Sequence, residues 1–238
     1  MKTKKYCILS LYAAFFLYAC GGGNGLGPGE IKAREDRIRE QLPLDWSSYV
    51  GNDFQGAIDS FAATLEEADR LEGIDNIRNQ IKGEAQNGIG WAQFRQQDLS
   101  QAETAFRLAT SLDRNNADAW VGRTGIALAQ QRYGDAVQYA VTAIDREPDY
   151  NSAARLDPVG RNLGHDDLNI DHVRLALAEA YFQLGRYSAA DRPDPNNAAA
   201  QMQLLKVKGE FRFQDPGQLL EVMSQAALDL QQGINVGF

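Results

Sequence analysis

Two stretches decide the fold: residues 98–116, DLSQAETAFRLATSLDRNN, and residues 132–150, RYGDAVQYAVTAIDREPDY. Laid over one another at an offset of 34 residues, Ala102, Phe106 and Ala109 fall on Ala136, Ala140 and Ala143. Leu99 falls on Tyr133, and Arg114 on Pro148. Residues three and four apart share one helix face, so each stretch is an amphipathic helix with small residues on its buried side. A fixed period of this length marks helical hairpins stacked in an array, because one hairpin cannot bury its own apolar face.

The pattern extends less regularly on both sides of Gly90–Pro148. Upstream, Ile31 to Gln41 reads as a charged leading helix that Pro43 ends, and Trp46 and Tyr49 sit on a shorter helix after it. Ala57, Phe61 and Leu65 then repeat the central spacing as a first, irregular unit. A longer helix begins near Asp75 and carries Ile77, Ile81, Ala85, Ile89 and Ala92. After Pro148 the phase breaks, and residues 151–169 read as a loop insertion. The pattern resumes at Asp171 with Leu175, Leu177, Ala178 and Tyr181, but Pro193 and Pro195 prevent a full second helix. A last hairpin carries Met202 and Leu205, with an ambiguous, strand-like end over Val207–Phe213. A capping helix after Pro216 presents Leu219, Val222, Met223, Ala226 and Leu230.

Ile89-Gly90, Asp98-Leu99, Ala102, Phe106, Ala109 and the turn at Asn115-Asn116 resemble one tetratricopeptide repeat. Trp120, Tyr133, Ala136, Ala143 and Pro148 resemble the next, in phase with the first. The departures are Gln93, Arg114 and the pair Arg123-Thr124, which stands where leucine-glycine is usual. The resemblance implies an all-α fold: a right-handed superhelix of about five antiparallel helical hairpins, the outer ones degenerate, over residues 31–238. It also implies that the first helix of each hairpin lines a groove. The matching positions are Trp91, Phe94 and Arg95, then Val121, Gly125 and Leu128, then Leu175, Glu179 and Phe182. Aromatic and arginine side chains are common interface anchors, which suits a protein or peptide partner. The basic clamp that some cytosolic members use for a terminal carboxylate is absent, with Asn87 its only partial match.

The N-terminus carries its own information. Lys2, Lys4 and Lys5 precede an apolar run from Ile8 to Ala19, too short to span a bilayer but suited to a secretory signal. The run ends in Leu17-Tyr18-Ala19-Cys20, which resembles a bacterial lipobox. That resemblance implies a signal peptide over 1–19, a lipid on Cys20, and a glycine-rich tether over 20–30. Cys7 leaves with the signal, so the processed chain holds no thiol for a disulfide. Glycine after Cys20, where aspartate would be an alternative sorting signal, points to the outer membrane facing the periplasm. The formal charge of −8 argues against a nucleic-acid binder.

The chemistry-bearing inventory is thin: no phosphate-cradling loop, no G-x-S-x-G, no H-E-x-x-H, and no motif for a cofactor. His165, Asp167, Asn169, Asp171 and His172 are weak candidates for a divalent ion. His172 stands where a calcium loop needs glycine, so Asn169 or Asp171 capping the next helix is the simpler reading. The expectation is a non-enzymatic interaction scaffold in the cell envelope. The alternatives are a glycan or small-ligand binder that uses the 151–169 loop against the aromatic helices, and a metal-dependent enzyme.

Overall fold

The computed structural model describes residues 27–187, 196–205 and 216–231. The leader over 1–19, Cys20, most of the tether, the Pro193–Pro195 break and Val207–Phe213 lie outside the described residues. Within them the chain is helical: α1 Pro28–Val50, α2 Phe54–Asp69, α3 Asp75–Arg95, α4 Leu99–Leu112, α5 Ala117–Ala129 and α6 Tyr133–Arg146, then α7 Ile170–Gln183, α8 Ala198–Leu204 and α9 Pro216–Gln231. No described helix is long and apolar enough to cross a membrane.

Successive helices pack in pairs, α1 on α2, α3 on α4 and α5 on α6, and α2, α4 and α6 each also pack on the next odd helix. The odd-numbered helices touch their odd neighbours, so α1, α3, α5 and α7 lie side by side. One turn geometry produces each pairing. The amide of Asp98 donates to the carbonyl of Gln93, and that of Gln97 to Phe94. The same two bonds recur as Asp53 to Ser48 with Asn52 to Tyr49, as Arg132 to Ala127 with Gln131 to Leu128, and as Arg186 to Tyr181 with Gly185 to Phe182. This six-to-one and five-to-two closure requires a left-handed residue, and Asn52, Gln97, Gln131 and Gly185 have φ of 63°, 65°, 58° and 72°. Asp53 and Asp98 then cap α2 and α4, accepting from the amides of Gly56 and Gln101.

Aromatic residues on even helices fill notches in the odd ones. A methyl group on Gly88 would stand 2.2 Å from the Phe61 ring, and one on Gly122 2.4 Å from the Phe106 ring. Phe61 and Phe106 are fully buried, each wedged where only glycine lets the helices approach. Arg123 pins three helices together, donating to Thr110 Oγ1 on α4 at 3.1 Å and to Tyr139 Oη on α6 at 2.6 Å. The two largest clusters of the core run one over α1–α5 and one over α5–α9, with smaller ones around Leu71 and Ala127.

Two expectations change. Pro43 does not end the leading helix: α1 runs through it for 23 residues, because Ile38, Leu42, Trp46 and Tyr49 form one buried stripe across the proline. An interior proline costs about 3 kcal/mol, and burying Leu42 and Trp46 returns about 1.5–3 kcal/mol each. The helix also starts at Pro28, inside the expected tether, where Gly27 donates its amide to Glu30 Oε2 at 2.9 Å.

Candidate functional site

Residues 151–169 fold back across the side-by-side helices. Their two ends are joined to each other, with an antiparallel bridge between Asn151 and Asn169 and the Ser152 amide donating to the Leu168 carbonyl at 2.8 Å. A single 3-10 turn over Ser152–Ala154 starts the loop. Its outer end is a small hairpin closed by the Leu156–Asn162 bridge, with Gly160 at φ +84°. Leu156 and Val159 at that end are exposed. The stretch expected to be a loop insertion is laid against α1, α3 and α5.

Beneath it lies a buried polar network centred on Asp118. Its Oδ2 accepts from Asn87 Nδ2 at 2.7 Å and Trp91 Nε1 at 2.9 Å. The His165 Nε2 lies 3.0 Å from Oδ2, and the Tyr150 hydroxyl donates to Oδ1. Arg155 enters between two carboxylates, with Nη2 2.7 Å from Glu84 Oε2 and Nη1 3.2 Å from Asp118 Oδ2. Its guanidinium sits 5.5 Å from the centre of the Trp46 ring, and Trp46 Nε1 donates to Glu84 Oε1 at 2.8 Å. His165 stacks on the same indole, 4.4 Å between ring centres. At the far side Asp166 accepts from Tyr49 Oη at 2.5 Å and Arg95 Nη1 at 2.8 Å.

The protonation states follow from these contacts. Burial alone would raise the Asp118 carboxyl, but the charges of Arg155 and His165 and the hydrogen bonds from His165 and Tyr150 hold it far below the usual range. Burial works against charge on His165, yet the Asp118 carboxylate outweighs it and raises the imidazole pKa above its ordinary value. Asp166 is lowered in spite of desolvation, by the facing His165 imidazole, the Tyr49 hydroxyl and the Arg95 charge. Tyr150 is pushed up by burial and by the Asp118 charge, so it stays a donor.

The network follows the repeat. Glu84 on α3 and Asp118 on α5 are 34 residues apart, and so are their donors Asn116 and Tyr150. Glu84, Asp118, Tyr150 and Arg155 were not among the expected site residues, since a charged residue on a helix defaults to a solvated face. The offset of 34 between two carboxylates was the available signal.

The expected groove residues divide. Trp91 is buried and bonded to Asp118, and Arg95 is held by Asp166 while lying 5.3 Å from the centre of the Phe54 ring. Phe94, Val121, Gly125, Leu128, Leu175 and Phe182 are partly exposed, and Glu179 is exposed beside them. A methyl group on Gly125 would stand 3.7 Å from Phe94, so these positions adjoin. Of the weak metal candidates, Asn169 caps α7 by accepting from the amides of Asp171 and His172, and His172 closes the box through its side chain. His165 is committed to Asp118, and Asp167 is exposed. Among the described residues no group of three or more His, Cys, Asp or Glu is placed to hold a metal ion.

Residues 83–116 match the tetratricopeptide repeat. That span begins one residue before Glu84 and ends on its donor Asn116, so the tetratricopeptide-like unit contains one full copy of the carboxylate-and-donor pair. No curated protein matches the chain. Helix pairs packed in sequence around this one matched repeat are consistent with a protein-interaction scaffold.

Proposed function

We propose that this protein is a non-enzymatic scaffold that holds a protein or peptide partner in the groove of a tetratricopeptide-like solenoid, tethered by lipid at Cys20 to a bacterial envelope membrane. The supporting observation is the row of partly exposed residues on α3, α5 and α7, namely Phe94, Val121, Leu128, Leu175 and Phe182. They fall at the positions that line the groove in such arrays. A right-handed superhelix of about five hairpins over residues 31–238 accommodates the order of helix pairs. The Leu17–Cys20 lipobox, the following glycines and an outer-membrane location complete the reading as proposals from sequence.

The test is capture from the envelope fraction with the Phe94→Ala/Phe182→Ala chain, its helicity first checked by circular dichroism. Loss of the partners that the unmodified chain recovers supports the groove; unchanged recovery sinks it. Trp91→Ala is unsuitable as a probe, since Trp91 is a buried ligand of Asp118.

One observation favours a second reading, a small polar ligand or glycan. A cavity of about 330 Å³ opens beside the loop between Arg39, Glu84, Asn116, Asp118, Glu147 and Arg155. That is the lower end of small-ligand pocket sizes. Because Trp46 abuts Arg155, its fluorescence should respond to an oligosaccharide that enters; silence across a glycan panel counts against this reading.

A further inference from the structure

We propose that residues 151–169 are a displaceable strap, a resident copy of the groove's ligand, and that the partner competing with it is an extended segment presenting one arginine. The inference deepens the scaffold reading and rests on it: it names what the α1–α3–α5 part of the groove recognises and how access to it is regulated.

Four observations carry it. First, two carboxylates at equivalent repeat positions, Glu84 and Asp118, converge on one guanidinium, Arg155 Nη2 at 2.7 Å and Nη1 at 3.2 Å. A planar fork matches such a pair in a way that an ammonium does not, and the Trp46 ring closes one face. Emptied of its cation, the cage would hold two buried like charges, so the site demands a replacement guanidinium when the strap leaves. Secondly, the strap enters and leaves at one point. The Asn151–Asn169 bridge and the Leu168 amide donating to Ser152 Oγ at 2.9 Å join its ends, so it can lift without unwinding α6 or α7.

Thirdly, the strap is held by few groups. Arg155, Leu163, His165, Asp166 and Leu168 make most of the contacts, with Arg161 3.7 Å from Glu40 on α1, while Leu156 and Val159 at its far end stay exposed. Arg155 Nη1 and His165 Nδ1 face carboxylate oxygens of Asp118 and Asp166 at 3.2 Å and 3.6 Å without an aligned hydrogen bond. Fourthly, the surface beneath is one a peptide ligand would use. It carries the Trp46 and Trp91 rings with the donors and acceptors of Asn87, Glu84 and Asp118 between them. Arg155 itself crosses it with an extended backbone, between the 3-10 turn and the small hairpin. Covalent attachment gives the strap a millimolar-order effective concentration, so a free segment must bind the groove more tightly or extend into the open part near Phe94.

Hydrogen exchange on the full chain tests this, with a synthetic peptide of residues 151–169 as the probe and the same peptide carrying Arg155→Gln as control. In the Arg155→Gln chain, amides of the strap should exchange about tenfold faster than in the unmodified chain while α3 and α4 keep their protection. The native peptide added in trans should slow exchange at the α1 and α3 segments holding Trp46 and Trp91, and bind about tenfold more tightly than the control peptide. Loss of protection in α3 and α5 in step with the strap, or equal binding of the two peptides, overturns the proposal. Should that variant fail to fold, the unmodified chain still decides: the Leu163 and His165 amides should be less protected than those of Gly90 and Ala92, and equal protection overturns it. Failure of the scaffold reading would show elsewhere, as partner capture indifferent to Phe94 and Phe182.

Discussion

At the scale of single residues, Gln97 and Gln131 stand out because they hold a left-handed backbone without being glycine. Both are exposed, and the strain of a side chain in that region exceeds the entropy that glycine loses on folding. Gln97→Gly and Gln131→Gly should each stabilise the fold by about 0.5–1 kcal/mol, read as a higher urea midpoint with an unchanged slope. Asp118 is the opposite case. Asp118→Ala removes the acceptor shared by Asn87, Trp91, Tyr150, Arg155 and His165, and should cost about 3–5 kcal/mol. Glu103→Ala at the exposed pair with Arg132 should cost less than about 1 kcal/mol. The pH dependence has a definite sign. The raised His165 pKa contributes stability that is complete below the ordinary histidine value and is lost as pH rises through the higher folded value. The lowered carboxyls of Asp118 and Asp166 contribute stability that is complete above the ordinary aspartate value and is lost on acidification. Exchange at the strap amides should therefore be slowest between those ranges and, after correction for intrinsic rates, quicken once His165 loses its proton. His165→Asn should remove the alkaline limb alone.

At the scale of elements, the interlock of aromatic and glycine sets helix spacing. Gly122→Ala places a methyl group 2.4 Å from the Phe106 ring and should destabilise by about 1–3 kcal/mol, whereas Gly134→Ala, with nothing near it, should stabilise α6 by about 0.5–1 kcal/mol. Thermal melts of the two variants give the comparison. The helices α3 to α6 were legible because their small and aromatic residues recur at a fixed offset. The course of α1 was not: proline is read as a stop, and only tertiary burial of Trp46 and Tyr49 overrides it. The turns were half legible. Asp98 announced a cap, but nothing in a glutamine announces a left-handed residue except its return 34 positions later. The loop over 151–169 had no period, so its seat on three helices was invisible, although its boundaries could be read from the broken phase. The groove positions from Phe94 to Phe182 were expected from the resemblance and lie partly exposed; the Glu84–Asp118 cage was not expected, because buried carboxylates look the same as solvated ones in a sequence.

At the scale of the whole molecule, the described helices pack in sequence with the 151–169 loop across one face, and the sequence before residue 27 supplies the proposed anchor. Cys20→Ala should abolish incorporation of labelled palmitate and release the protein from the membrane fraction, without altering the melting of the folded part. The account as a whole turns on whether partners sit on the face shared by α3, α5 and α7. A photo-crosslinking residue placed at Leu128 or Phe182, with Gln138 on α6 as the exposed reference, measures this in the native envelope. Discrete adducts of the same partner from Leu128 and Phe182 but none from Gln138 are the predicted result. Adducts from Gln138 alone, or the same adducts from all three positions, would contradict it.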